Sequence, residues 1–154
     1  MIGYDVNLVF DCRDPHGLAL FWLTALEGYD FPGSDPDRPA GAPPPGFDSW
    51  DGWADEQGFP AEGRNRARTI IDLSGRDRPD IFFLAVPEDK TAKNRLHLDL
   101  KVSKGLPAEQ VRQRQDDEAA RLVAAGATVL RRVDDDDGSH MILADPEGNE
   151  FCVI

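Results

Sequence analysis

The sequence predicts an α+β fold of two tandem βαβββ modules. Three observations carry that prediction: an alternating strand runs directly into a capped helix, the same order restarts near Arg95, and a glycine stop after each helix leads into further strand-like segments. A chain of 154 residues has room for one ordinary domain or two small modules, and two large independent domains are excluded.

The elements follow in order. Val6, Leu8, Phe10 and Cys12 alternate with Asp5, Asn7, Val9 and Asp11, which marks a strand with one apolar face. Asp14 and Pro15 then provide a cap and a first-turn proline, Leu18, Phe21, Trp22, Ala25 and Leu26 recur at helical spacing, and Gly28 ends the helix. From Tyr29 to about Arg66 the chain is rich in Pro, Gly and Asp and reads as a long loop, a natural place for a lid. Within it, Phe47 to Gln57 predicts a short helix carrying Trp50 and Trp53, capped by Asp48 or Ser49 and stopped by Gly58. Arg68–Leu73 and Asp80–Val86 are strands joined by a turn-rich segment.

The second module repeats the scheme. Leu96, Leu98, Leu100 and Val102 alternate with His97, Asp99 and Lys101, so the leucine face turns to the helices and the polar face to a binding cleft or to solvent. Pro107 opens a helix through Val111, Leu122 and Val123 to Gly126, with its charged residues expected on the exposed side. Ala127–Val133 and His140–Ala144 are strands around the acidic turn Asp134–Gly138, whose aspartates lack the ligand spacing of a calcium loop. The tight turn Asp145-Pro146-Glu147-Gly148-Asn149 leads into the last strand, Glu150–Ile154. Module one therefore spans 1–90, with a Pro/Gly-rich insertion at 32–63, and module two spans 94–154.

Composition limits the partners. The formal net charge is −12, from 17 basic and 29 acidic residues, and that field repels phosphate backbones and anionic lipid. Neither nucleic acid nor membrane is expected as a partner. No stretch has the apolar length of a transmembrane helix, and Met1-Ile2-Gly3-Tyr4-Asp5 lacks the order of a signal peptide, so the expected location is cytoplasmic. Cys12 and Cys152 have neither zinc-knuckle nor disulfide-framework spacing. Cys12 reads as a core filler and His16 and His140 as surface or turn residues.

The duplicated units, the segment Asn94-Arg95-Leu96-His97-Leu98-Asp99-Leu100 and the ending Asp145-Pro146-Glu147-Gly148-Asn149-Glu150-Phe151-Cys152-Val153-Ile154 resemble the vicinal oxygen chelate superfamily, specifically its glyoxalase-like and bleomycin-resistance-like members. The opening Asp11-Cys12-Arg13-Asp14-Pro15 running into Phe21-Trp22 is similar to the first module of the same group. The resemblance implies a curved mixed sheet around a central cleft, a small-molecule ligand and a homodimer. In metal-dependent members, the first and last strands of each module supply the ligands of a divalent ion. His97 and Glu150 match that pattern, whereas Asn7 and Phe83 or Leu84 stand at the first-module positions. The implied ion is nickel, zinc, manganese or iron. Two good ligands fall short of the three or four that a catalytic site needs, so neither a tightly bound metal nor true glyoxalase I activity is expected.

Two functions from different classes follow from the resemblance. As a lyase- or isomerase-type enzyme, the chain would move a proton at a carbon next to a carbonyl, with Glu150 as base and His97 polarising the oxygen directly or through a metal. As a drug- or metabolite-sequestering protein of the bleomycin-resistance type, it would use its acidity for a cationic ligand and Trp50 and Trp53 for a planar one. A regulatory or structural role for a degenerate cleft is a third reading. Asn7, Asp99 and Cys152 join Trp50 and Trp53 as candidate ligand-binding residues. Asp99 is either a replacement metal ligand or a support for one, and Cys152 shares the face of Glu150. A tryptophan pair at helical spacing more often packs a small satellite core, and that reading is the favoured one for Trp50 and Trp53.

Overall fold

A computed structural model describes residues 6–135 and 138–154. Asp5 of the opening strand and Asp136 and Asp137 of the acidic turn lie outside the described residues. The chain divides into two compact units, the first ending at Glu88 and the second running from Asp89 to Ile154.

The first unit contains β1 (Leu8–Cys12), α1 (Pro15–Ala25), β2 (Tyr29–Asp30), α2 (Trp50–Glu56), β3 (Ala67–Asp72) and β4 (Ile81–Ala85). The second contains β5 (Asp99–Leu100), α3 (Ala108–Ala124), β6 (Thr128–Asp135), β7 (Gly138–Ala144) and β8 (Glu150–Val153). Each forms a four-stranded mixed sheet, ordered β1-β4-β3-β2 in one and β5-β8-β7-β6 in the other. The first and last strands of each unit pair in parallel, and the other neighbours pair antiparallel. The same pattern in both units makes each a βαβββ module, with α2 inserted between the second and third strands of the first. Among the described residues, no helix is long and apolar enough to cross a membrane.

Local chemistry sets the helix ends. Asp14 caps α1 by accepting from the Gly17 amide at 3.0 Å, and Pro15 opens the first turn, where its missing N–H costs nothing. Beyond α1, Gly28 takes the left-handed conformation and its carbonyl accepts from Leu73 at 2.8 Å. The core of the first unit lies between α1 and one face of the sheet. Trp22 of α1 packs on Phe10, with ring centroids 5.3 Å apart, and Phe10 stacks on Phe83 at 5.5 Å. Ile70, Ile81 and Leu18 are buried beside them.

Several sequence expectations need correction. The predicted loop from Tyr29 begins with a strand, because Tyr29 and Asp30 pair with Asp72 and Ile71. Tyr29 is held there by its hydroxyl, which donates to the Pro79 carbonyl at 2.8 Å, and by the Arg78 guanidinium 4.4 Å above its ring. The predicted seven-residue strand Leu96–Val102 contracts to Asp99–Leu100, because the chain turns directly after Leu100, where the Val102 amide donates back to the Leu100 carbonyl at 2.9 Å. Leu100 is buried, but Leu96 is 64% exposed. Val6, expected on the apolar face, precedes β1 and is exposed. Asp134 and Asp135 belong to β6 and not to a turn; Asp134 pairs with Ser139 in the ladder and with Arg112 at 3.3 Å.

Nor are all the polar residues of α3 on its exposed side. Gln115 is fully buried; its amide donates to the Ser139 carbonyl at 2.6 Å and its carbonyl oxygen accepts from Arg132 at 2.9 Å. Glu118 is buried between Arg114 and Arg121. Those guanidiniums hold its carboxyl below the usual range against the opposing cost of burial. A polar network therefore docks α3 alongside the apolar Ala119 and Leu122.

Candidate functional site

A cavity of about 620 Å³ opens in the first unit, walled by the 32–63 insertion on one side and by Ala67, Thr69 and Phe82 of the sheet on the other. Thr69 and Phe82 are cross-strand partners, and alternation puts them on the sheet face opposite Ile70, Ile81 and Phe83. The insertion is thus a cover over the face that α1 leaves open.

The cover is built from aromatic rings. Ser49 caps α2 by accepting from the Gly52 amide at 3.0 Å, and the one-turn spacing places Trp50 and Trp53 edge to face, 5.7 Å apart and inclined by 82°. Phe31 meets Trp50 at 5.2 Å and Phe59 meets Trp53 at 5.7 Å, and all four line the cavity. Trp50 is pinned by its indole N–H, which donates to the Gly41 carbonyl at 2.9 Å. Gly41 has φ +80°, and a β-carbon there would lie 2.6 Å from Leu20, so this position requires glycine. Its own amide donates to the buried Asp30 carboxylate at 2.9 Å, which ties the cover to β2. Arg64 closes the far end through Asp55 at 2.6 Å and the Phe59 and Pro60 carbonyls.

One cation on the lining is held differently: Arg68 stands opposite Phe83 in the β3–β4 ladder, on the α1 side of the sheet. Arg68 donates from Nε to His16 Nδ1 at 3.2 Å and from one terminal nitrogen to the Arg64 and Ala67 carbonyls at 2.6 and 2.9 Å. Among the described residues it forms no ion pair. His16, expected at the surface, is half-buried and stacks on Phe31 with centroids 5.9 Å apart. Burial pushes its pKa down and the neighbouring Arg68 charge pushes it further, so the ring is neutral at pH 7 and its Nδ1 lone pair is free to accept. His140, also expected at the surface, is half-buried within β7.

In the second unit, His97, Asp99 and Cys152 offer ligand atoms that all lie within 4.8 Å of one another. His97 Nε2 is 3.3 Å from the Asp99 carboxylate, and Asp99 stands opposite Cys152 in the parallel β5–β8 ladder. His97 and Asp99 are exposed and Cys152 is half-buried. Burial raises the Cys152 pKa, and the Asp99 charge and hydrogen bond raise it further, so without a metal it is a thiol and a weak nucleophile.

Glu150 has another partner. Its carboxylate pairs with the Lys93 ammonium at 2.8 Å, and that contact holds its pKa below the ordinary glutamate value. Its backbone is fixed by Asn94, whose amide oxygen accepts from Glu150 N at 2.9 Å while its NH₂ donates to Glu150 O at 3.2 Å. Asn7 is exposed just ahead of β1. Of the two first-module last-strand positions, Phe83 is fully buried in the core and Leu84 is on the open face of the sheet, 38% exposed.

The structure therefore gathers Trp50 and Trp53 in one place and His97, Asp99 and Cys152 in another. Sequence reasoning missed Arg68, His16, Phe31 and Phe59. Phe31 just before the Pro/Gly-rich stretch and Phe59 within it are apolar residues without periodicity, which was the available signal; Arg68 and His16 are too far apart in sequence to have been paired.

The profile of a family described as a glyoxalase-like domain matches residues 7–154. Among solved structures, a glyoxalase/bleomycin resistance protein/dioxygenase family enzyme from Burkholderia phytofirmans PsJN is similar with a TM-score of 0.59 and 15% identity, over 97% of each chain. A mutant of the fosfomycin resistance protein FosX from Listeria monocytogenes, complexed with Mn(II) and 1S,2S-dihydroxypropylphosphonic acid, gives a TM-score of 0.55 and 11% identity, over 99% of this chain and 90% of that one. FosX from Mesorhizobium loti gives 0.55 and 11%, over 99% and 92%. Identities this low speak for the fold alone. No curated protein matches significantly. The imidazole, carboxylate and thiol donors of the second unit suit zinc, cobalt or nickel more than manganese, which favours oxygen donors.

Proposed function

The chain belongs to the glyoxalase-like domain family, and from that premise we propose that it binds a planar small organic molecule in the aromatic cavity of its first unit. The observation that carries this reading is the cavity itself, about 620 Å³ and walled by Trp50, Trp53, Phe31 and Phe59. Its volume is in the range of small-molecule sites, roughly 300 to 1,000 Å³. Four rings provide flat apolar contact with little side-chain entropy to lose on binding. Sequestration is favoured over proton-transfer chemistry because Glu150, the one residue matching the family's glutamate, is neutralised by Lys93 and is a poor base. Tryptophan fluorescence tests the reading, since Trp50 and Trp53 line the cavity and Trp22 is buried in the core. Titration with the neutral reporter N-phenyl-1-naphthylamine is expected to give a saturable change with one site per chain; a linear, unsaturable response would overturn the proposal.

The cluster His97, Asp99 and Cys152 favours a second reading, a divalent-ion site in the second unit. Three donors of mixed hardness would leave an open position on a tetrahedral ion. Cobalt(II) is expected to give a saturable thiolate-to-metal absorption that disappears in Cys152→Ser. No such band, together with no calorimetric heat for zinc, would remove this reading and leave the cavity proposal untouched.

A further inference from the structure

We propose that the first-unit cavity selects planar organic anions, with Arg68 receiving a carboxylate or similar oxyanion carried by the ligand. This deepens the cavity reading above and rests on it. It also runs against the field of the whole molecule, whose net charge of −12 favours cations.

The inference follows from how each charge around the cavity is compensated. Arg64 has its charge offset by Asp55 at 2.6 Å and Asp51 at 3.8 Å. Those two carboxylates are 72% and 87% exposed, and Glu62, also on the lining, is exposed. Of the acidic residues, Asp51 and Glu62 on the lining are exposed, and Asp51 and Asp14 attract the Arg68 charge without forming an ion pair with it among the described residues. Arg68 is half-buried and bonded only to neutral acceptors: the Arg64 and Ala67 carbonyls and the imidazole of His16. These bonds fix the plane of the guanidinium without cancelling its charge. They occupy Nε and one terminal nitrogen, so among the described residues Nη2 keeps both of its N–H donors unused.

An oriented cation of this kind, beside a wall of four aromatic rings, is complementary to a flat apolar body ending in an oxyanion. A neutral ligand would leave the half-buried cation with only the longer-range attraction of Asp51 and Asp14, and a cationic one would be repelled at the same point. His16 serves as a positioning residue: its ring stacks on Phe31 while its Nδ1 holds Nε of Arg68, so the apolar wall and the charge are set by one side chain.

The test compares three naphthalene probes of matched shape by isothermal titration calorimetry on the full chain: 2-naphthoate, 2-naphthamide and 2-naphthylmethylammonium. The expected order is anion, then neutral, then cation, with naphthoate bound about tenfold more tightly than the amide. Attraction to the net charge alone gives the reverse order. Arg68→Gln is expected to bring the naphthoate-to-naphthamide ratio close to one, and Arg68→Lys to keep part of the preference. If Arg68→Gln does not fold, the order of the three probes on the unmodified protein still decides the matter. Saturable binding of the amide with no preference for naphthoate, or a preference that survives in folded Arg68→Gln, overturns the inference and leaves the cavity reading standing. No binding of any probe, with no saturable response to the neutral reporter, removes both.

Discussion

Replacing Trp50 with alanine is expected to lower the affinity for the neutral reporter at least tenfold, a loss of about 1.4 kcal/mol or more. The substitution removes one wall of the cavity together with the edge contacts to Phe31 and Trp53. It also cuts the bond from the indole N–H to the Gly41 carbonyl, which links α2 to the residue that Asp30 anchors to β2. Trp50→Phe keeps a ring and loses only that bond, so it is expected to recover part of the affinity. Fluorescence titration of the two variants, with Trp53 still reporting, distinguishes these losses. Equal affinity in Trp50→Ala and the unmodified protein would place the ligand elsewhere.

The second large effect is on stability. Phe83→Ala is expected to cost roughly 3 to 5 kcal/mol, because the side chain is fully buried against Phe10 and its loss leaves a cavity that two sheet neighbours and a helix cannot close. Leu84→Ala, one residue further on and 38% exposed, is expected to cost under about 1 kcal/mol. Urea unfolding of the pair measures the contrast, and similar midpoints would contradict the placement of β4. The contrast also bears on the first module's missing metal ligand. Of the two candidate positions, only Leu84 is on the open sheet face; a polar group at 83 would be driven into the core.

The fold was legible because both modules announce themselves locally. Asp14-Pro15 and Gly28 bracket α1, an alternation broken only at Val9 marks β1, and the Asp145–Asn149 turn delivers β8, each from side-chain chemistry within a few residues. What failed depended on partners distant in sequence. β5 is defined by its pairing with β8 about fifty residues on, and the burial of Gln115 on α3 by Ser139 and Arg132 on two strands. The site divided in the same way. Trp50 and Trp53 were visible as a pair at helical spacing, and His97 with Asp99 as neighbours on one strand face. Arg68 and His16 are 52 residues apart and meet only once the sheet has formed. The acidity of the chain suggested a cationic ligand, yet a summed charge says nothing about which half-buried cation lacks an ion-pair partner among the described residues.

The insertion that forms the cavity wall also affects how the first unit closes. The parallel pairing of its end strands brings Leu8 to Ile81, whereas the corresponding pairing in the second unit brings Asp99 to Cys152. The longer span raises the loop-closure entropy of the unfolded chain only logarithmically, by about 0.3 kcal/mol. A ligand chamber added at that point of a βαβββ module therefore adds little loop-closure entropy, and the ordering of its own residues must be offset by the contacts of the aromatic cover. There is also a cost in time: the most distant contact of the unit is the one that completes its sheet, so the first unit is expected to fold more slowly than the second.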